Sequence, residues 1–395
     1  MNQNLKISEL RNKGRFFTKE DLSRYVYNII TTKLSNLDIL IEPFAGEGSL
    51  IRPFIDQNQR IIANDIVKNE EIAKLLGDPS QPLFNRVTGG AFFPGSVYKP
   101  VVAVAALEEG DVDGNYVFDD PGILTIETVY GKFTYANWYF TQYGGKEGQI
   151  GLVTAIKRST DTFFYKLGEL VGVDKLVEWS SLFGLDEPTG VDLTGEIAGL
   201  VPSPEWKLEV RGERWFLGNT YHLSIGQGDI ALTPIGVNTA IAAIGANGKL
   251  CTPHIIALQG SDNFPLVRRK PSPRVLRLPE SETGSVASFQ CNDIGISKQS
   301  IDLVKEGMRQ ACRPGGTGFT FFDFEEKVGT QVACKTGTAE TGDGKTTHAW
   351  FVAFAPVDFP EIVATVLVEK GGEGSSVAGP IAREIFDYWF VERRE

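Results

Sequence analysis

Three short strings, far apart along the chain, constrain its fold more than any other feature: Ser96-Val97-Tyr98-Lys99, Ser159-Thr160-Asp161 and Lys335-Thr336-Gly337-Thr338. Together they offer a nucleophilic hydroxyl, two lysines, a second hydroxyl and a glycine in an apolar strand. These groups do chemistry only if folding brings a helix start, a second helical segment and a strand to one point. Each string occurs once, and alone each is weak. Their order and local contexts make them a set.

The chemistry follows from the residue types. A serine hydroxyl is a poor nucleophile until a base takes its proton. A lysine does this only when neutral, and desolvation and a second nearby cation both depress its pKa. Ser96 follows Phe93-Pro94-Gly95, a turn that delivers it to a helix start. Lys99 lies three residues on and shares its face. The helix N-terminus favours charge developing on the Ser96 oxygen. The expected roles are Ser96 as nucleophile, Lys99 as base, Lys335 as the second cation, and Ser159 as a proton relay to the leaving amine. Asp161 completes the second string. Lys335 and the hydroxyls of Thr336 and Thr338 are expected to hold a substrate carboxylate. Gly337 lets a peptide approach the strand edge. The backbone N–H groups of Ser96 and Thr338 would form an oxyanion hole, at roughly 3 kcal/mol per donor.

Composition narrows the classes. A chain of 395 residues suggests two or three domains. The net charge of −11 argues against nucleic-acid binding by the whole chain, so DNA is not expected as a partner. Residues 1–68 hold ten Lys/Arg against eight Asp/Glu, whereas the rest is strongly acidic. Cys251, Cys291, Cys312 and Cys334 form no C-x-x-C pair, and only His222, His254 and His348 accompany them. No metal site is expected, and buried reduced thiols are the leading reading, with a disulfide left open. No apolar leader opens the chain, and no run of roughly 18 apolar residues suits a spanning helix.

Hydrophobic patterning gives the organisation. Residues 38–66 read as strand, glycine loop, helix, strand, which is half of a doubly wound α/β unit. Helices are expected from Val97 to Leu107, over 150–172 around Ser159, over 174–183, after a Ser300 cap with Ile301, Val304, Met308 and Ala311 on one face, and over 378–391. Asp119-Asp120-Pro121-Gly122 reads as a turn, and 262–297 as a surface excursion. Gln331–Lys335, Ala349–Ala355 and Glu361–Glu369 predict an antiparallel sheet.

From about residue 75 to 391 the chain resembles the transpeptidase domain of class B penicillin-binding proteins of the elongation type. The strings that carry this are Asn85-Arg86-Val87, Pro94-Gly95-Ser96-Val97-Tyr98-Lys99-Pro100, Lys157 to Tyr165, Thr189-Gly190-Val191-Asp192-Leu193, Ser224-Ile225-Gly226-Gln227-Gly228-Asp229, Cys334 to Glu340 and His348-Ala349-Trp350-Phe351. The resemblance implies an α+β fold, an antiparallel sheet flanked by helices. It implies cross-linking of peptidoglycan stem peptides ending in D-Ala-D-Ala through a Ser96 acyl-enzyme, acylation by β-lactams, and no cofactor. D,D-carboxypeptidase or β-lactamase-like hydrolysis is the related alternative. The family implies a membrane anchor, a catalytic domain outside the cytoplasm and membrane-bound cell-wall elongation partners. The chain as written shows no anchor, which reads as cytoplasmic. The sheet's first two strands are also expected to be missing, which would leave Glu361–Glu369 as an open edge.

Residues 1–68 resemble the start of an S-adenosylmethionine-dependent adenine methyltransferase, a partial Rossmann-like unit. Phe17 and Thr18 fall in an opening cofactor motif, Glu42, Gly46 and Gly48 in a glycine loop, and Asp65 at a ribose-binding distance. No Pro-Pro pair occurs for a catalytic loop. Weak S-adenosylmethionine binding is the most this resemblance implies, and a bland ligand-free unit is the other reading. The expected organisation is a methyltransferase-like fragment over 1–68, a seam over 69–77 and the transpeptidase domain over 78–395, with an inactive fusion product as a further alternative.

Overall fold

The structure is a computed structural model and describes residues 39–40, 60–61, 77–79, 81–129, 131–255, 291–342 and 344–394. The chain divides into two compact units, residues 1–85 and 86–395. In the first, β1 (Ile39–Leu40) pairs in parallel with β2 (Arg60–Ile61). Phe17, Thr18, Glu42, Gly46, Gly48 and Asp65 lie outside the described residues. Among the described residues this parallel pair is all that bears on the expected Rossmann-like unit.

The second unit opens at the first string. A tight turn of 3-10 helix, Gly95–Val97, runs into α1 (Lys99–Glu108). Residues Lys99 to Ala106 are all buried. A helix apolar on every side belongs in a core, as Val101-Val102-Ala103-Val104-Ala105-Ala106 does here. Next come β3 (Val117–Asp120), β4 (Ile123–Thr128), β5 (Gly131–Ala136), α2 (Trp138–Tyr143) and β6 (Gly148–Gly151). β4 and β5 form an antiparallel hairpin, and β3 pairs with β6. Sequence patterning showed only the turn at 119–122, because these strands are mostly exposed and carry no apolar run.

The expected helix over 150–172 is two helices, α3 (Leu152–Arg158) and α4 (Asp161–Val171). They break at Ser159, whose backbone is left-handed with φ 57°. α5 (Val173–Leu182), α6 (Leu217–Ser224) and α7 (Pro234–Gly245) follow. β7 (Lys249–Cys251) pairs antiparallel with β8 (Cys291–Asp293). α8 (Lys298–Ala311) is capped by Ser297, whose Oγ accepts from the Ser300 N–H at 3.2 Å. Ser300, the expected cap, sits inside the first turn. Ile301, Val304, Met308 and Ala311 are buried as expected.

β9 (Ala333–Glu340), β10 (Thr347–Ala355) and β11 (Ile362–Val368) form an antiparallel sheet in the order β11-β10-β9. The last helix is α9 (Gly379–Phe390). β10 is buried on both faces. Trp350, Val352 and Phe354 pack into the larger core, with α1, α7 and α8. Phe351, Ala353 and Ala355 face a second core made with Phe321, Phe324 and Ala382, Phe386 and Phe390 of α9. Helices thus cover both faces of the sheet, the layered α+β arrangement that hides two apolar faces. Among the described residues β11 is an edge strand, and β9 is the other.

The reading of the cysteines as reduced thiols is corrected. Cys251 bridges to Cys291 across β7 and β8, and Cys312 bridges to Cys334, joining the end of α8 to β9. The pairs are 40 and 22 residues apart, a spacing without a motif. Only strand register and the α8–β9 packing reveal the partners. No described helix is long and apolar enough to cross a membrane.

Candidate active site

Four of the five expected catalytic residues meet at one buried point. Lys99 and Lys335 are both fully buried, and Ser159 is nearly so. Lys99 Nζ donates to the Ser159 carbonyl at 2.8 Å, to Ser159 Oγ at 3.2 Å and to Asp161 Oδ1 at 2.6 Å. Lys335 Nζ donates to Ser159 Oγ at 2.7 Å and to the Thr336 carbonyl at 2.9 Å. The Ser159 hydroxyl therefore joins two lysines from different elements. Its left-handed backbone is part of that arrangement. It turns both the carbonyl and Oγ of one residue toward Lys99, at a conformational cost of about 1–2 kcal/mol for a residue with a Cβ.

Ser96 is half-buried in the turn before α1, three residues ahead of Lys99. Lys99 bonds Ser159 and Asp161 rather than the Ser96 hydroxyl, so the expected direct base contact is absent in the resting site. Such contacts often form only when substrate is bound. The Ser96 turn is held from three sides. Gly95 has φ +55°, and a Cβ there would lie 3.1 Å from both the Thr338 carbonyl oxygen and Ala339 Cβ on β9. The Gly95 N–H donates to the Gly226 carbonyl at 2.9 Å. Trp350 Nε1 donates to the Phe93 carbonyl at 3.0 Å.

The third string lies in a strand as expected, and that strand, β9, runs on past the expected end at Lys335 to Glu340. Because β9 is an edge strand among the described residues, one side of its backbone is not committed to a sheet neighbour. Thr336 Oγ1 donates to Thr317 Oγ1 at 2.8 Å, and Thr338 Oγ1 accepts from the Gly374 N–H at 3.3 Å. Gly337 also has a packing role. A Cβ there would meet Val97 Cγ1 and Trp350 Cβ at 3.0 Å and the Pro94 carbonyl at 3.2 Å. The missing side chain makes room for the Ser96 turn against the sheet.

Electrostatics at this point are dominated by burial. Desolvation pulls Lys99 below the ordinary lysine value, and the Asp161 carboxylate opposes that fall. Among the described residues Lys335 has no carboxylate in contact. Burial and then the nearby Lys99 charge push it well below the ordinary value, with Asp161 a weaker counterweight. The two lysines thus share one site that resists holding two positive charges. Both shifts favour the neutral amine, the form able to take a proton, on either side of the Ser159 hydroxyl.

Sequence reasoning missed the groups that hold Asp161. The Trp138 N–H donates to Asp161 Oδ2 at 3.0 Å, and the Asp161 N–H donates to Asn137 Oδ1 at 3.1 Å. Asp120, buried behind Asn137, was visible only as part of a turn. Thr317 and Gly374 also escaped notice. A lone Asn or Thr in a polar stretch carries no signal until the fold places it. Among the described residues no three His, Cys, Asp or Glu side chains gather as a metal site requires.

A family model described as the penicillin binding protein transpeptidase domain matches residues 61–387. The peptidoglycan D,D-transpeptidase MrdA of Haemophilus influenzae is 31% identical over 390 residues, covering 94% of this chain and 55% of its own length. A crystal structure of Pseudomonas aeruginosa PBP2 in complex with WCK 5153 is similar at a TM-score of 0.68 and 33% identity, over 82% of this chain and 66% of that one. Helicobacter pylori PBP2 in complex with MreC gives a TM-score of 0.64 and 30% identity, over 81% of this chain and 54% of that one. The chain spans about half the length of the curated relatives it matches. The methyltransferase resemblance over 1–68 finds no support. The family match begins at residue 61, and a match covering 94% of the chain cannot leave out that whole segment.

Proposed function

Because the chain belongs to the penicillin-binding protein transpeptidase family, we propose that it is a serine D,D-transpeptidase that cross-links peptidoglycan stem peptides ending in D-Ala-D-Ala. Ser96 Oγ attacks the carbonyl carbon of the penultimate D-Ala, and its proton passes to the neutral amine of the lysine pair. The N–H groups of Ser96 and Thr338 receive the oxyanion. The C–N bond then breaks, and the departing D-Ala amine takes a proton through the Ser159 hydroxyl. An amine of a second stem peptide attacks the Ser96 ester and gives its proton back to the lysine pair. The new amide leaves, and the Ser96 hydroxyl is restored. Lys335, Thr336 and Thr338 hold the terminal carboxylate, and β9 offers its open edge to the peptide backbone. No step calls for a cofactor.

The observation that carries this reading is the Ser159 hydroxyl bonded to both Lys99 and Lys335, with Ser96 three residues ahead of Lys99. A β-lactam would acylate the same serine, since its amide carbonyl enters the same attack. The elongation type is supported by the MrdA and PBP2 relatives, and the MreC complex of the Helicobacter pylori relative suggests a partner of that kind. Two disulfides suit an oxidising compartment outside the cytoplasm.

Fluorescent penicillin tests the reading. Intact folded protein should be labelled covalently, and Ser96→Ala should lose all label while melting as the wild type does. An unlabelled folded wild type would end the proposal. Rapid release of the label, with turnover of a chromogenic cephalosporin, would replace transpeptidation with hydrolysis.

A further inference from the structure

The carboxylate nearest the two lysines is itself held by a buried polar chain. Asn137 is fully buried, just ahead of α2. Its Oδ1 accepts from the Asp161 N–H at 3.1 Å, and its Nδ2 donates to Asp120 Oδ2 at 3.4 Å. Asp120 is only 2% exposed. Its Oδ1 accepts from Thr162 Oγ1 at 2.6 Å and from the Gly122 N–H at 2.8 Å, and its Oδ2 also accepts from the Glu147 N–H at 2.9 Å. The residue after Asn137 donates its N–H to the outer oxygen of Asp161 at 3.0 Å, which leaves Oδ1 aimed at Lys99. A buried carboxylate is costly unless its lone pairs are met, and here four donors meet those of Asp120. Such a construction fixes whatever it touches, and it touches the start of α4.

We propose that Asn137, braced by Asp120, is a positioning residue for acyl transfer that aims the Asp161 carboxylate at Lys99. The inference rests on the transpeptidase reading of the same site. Its consequence falls on Lys99. The ion pair holds Lys99 Nζ against the Ser159 hydroxyl and sets how readily that amine gives up its proton, and so how readily it can take one from Ser96.

The titratable groups in play are few. Lys99 faces Asp161 and Lys335, with the Phe164 ring 5.2 Å away. Asp161 also acts on Tyr165. Behind them, Arg158 pairs with Glu147 at 3.0 Å and lies over the Trp138 ring. The sign of the pH effect follows. A carboxylate beside Lys99 favours its ammonium form, so loosening that carboxylate lets Lys99 give up its proton at lower pH.

The test is the rate of acylation by a fluorescent penicillin from about pH 6 to about pH 10, the span of lysine titrations depressed by burial, with thermal unfolding measured alongside. Asn137→Ala should acylate roughly tenfold more slowly at its optimum, and the acid limb set by Lys99 should move about one unit toward acid. Asp120→Asn, of the same shape, should move the limb the same way by less, and stands in if Asn137→Ala does not fold. A rate lowered equally at every pH, with the limb unmoved, overturns the proposal. Loss of folding in both variants also overturns it, since the chain would then be purely structural. A folded wild type that takes no label would sink the transpeptidase reading instead.

Discussion

Ser159 concentrates the site's conflict in one residue. Its left-handed backbone suits glycine better than serine, yet its carbonyl and hydroxyl are bonded by the two buried lysines. Stability and chemistry should therefore separate on mutation. Ser159→Gly is expected to keep the wild-type stability or gain up to about 1 kcal/mol from relieved backbone strain. Acylation by penicillin should fall roughly 100-fold or more, the usual size of a lost proton relay. Denaturant unfolding and labelling kinetics on one preparation check both. A variant that loses stability and keeps its rate would show that the hydroxyl serves packing rather than transfer. The sequence announced Ser96, Lys99, Ser159, Asp161 and Lys335 because those residue types are rarely spaced so without chemical cause. It was silent on Asn137, Asp120 and Thr317, whose side chains count only through partners distant in the chain.

Among elements, glycines set how closely the parts of the site approach. Gly226 follows α6 with φ +73°, and a Cβ there would lie 2.2 Å from the Gly95 carbonyl. Gly226→Ala must push away the turn that carries Ser96. It should lower stability by about 1–3 kcal/mol and slow acylation at least tenfold, read from the unfolding midpoint and the labelling rate. Neither change would mean that the turn tolerates displacement. At this scale apolar periodicity exposed α1, α8, α9 and the three-stranded sheet, since each buries a face and burial leaves a pattern. It did not expose the β3–β6 and β4–β5 pairings, where exposed strands leave none. It also joined α3 to α4, because the break at Ser159 is made by the site and not by a glycine or proline.

Across the whole molecule, the bridges and the sheet edges matter most. Loops of 40 and 22 residues are closed by Cys251–Cys291 and Cys312–Cys334. Chain-entropy arguments assign such loops about 3–4 kcal/mol each. Thiol reduction should lower the unfolding free energy by a comparable amount, measured by denaturant titration with and without reductant. Equal curves would mean the cysteines are not bridged in solution. The second bridge matters twice, since Cys334 directly precedes Lys335 on β9. A thiol-reduced protein should therefore lose stability and penicillin labelling together.

Among the described residues β9 is open along one side, and what a strand edge presents is main chain. Mutation changes side chains but cannot delete a peptide group. On the proposed reading, selection for antibiotic resistance has little purchase on this strand, where a substitution that turns away the drug disturbs the natural peptide as well. Escape is then pushed outward, to residues that adjust the turn, the lysine pair or the rigidity of their surroundings.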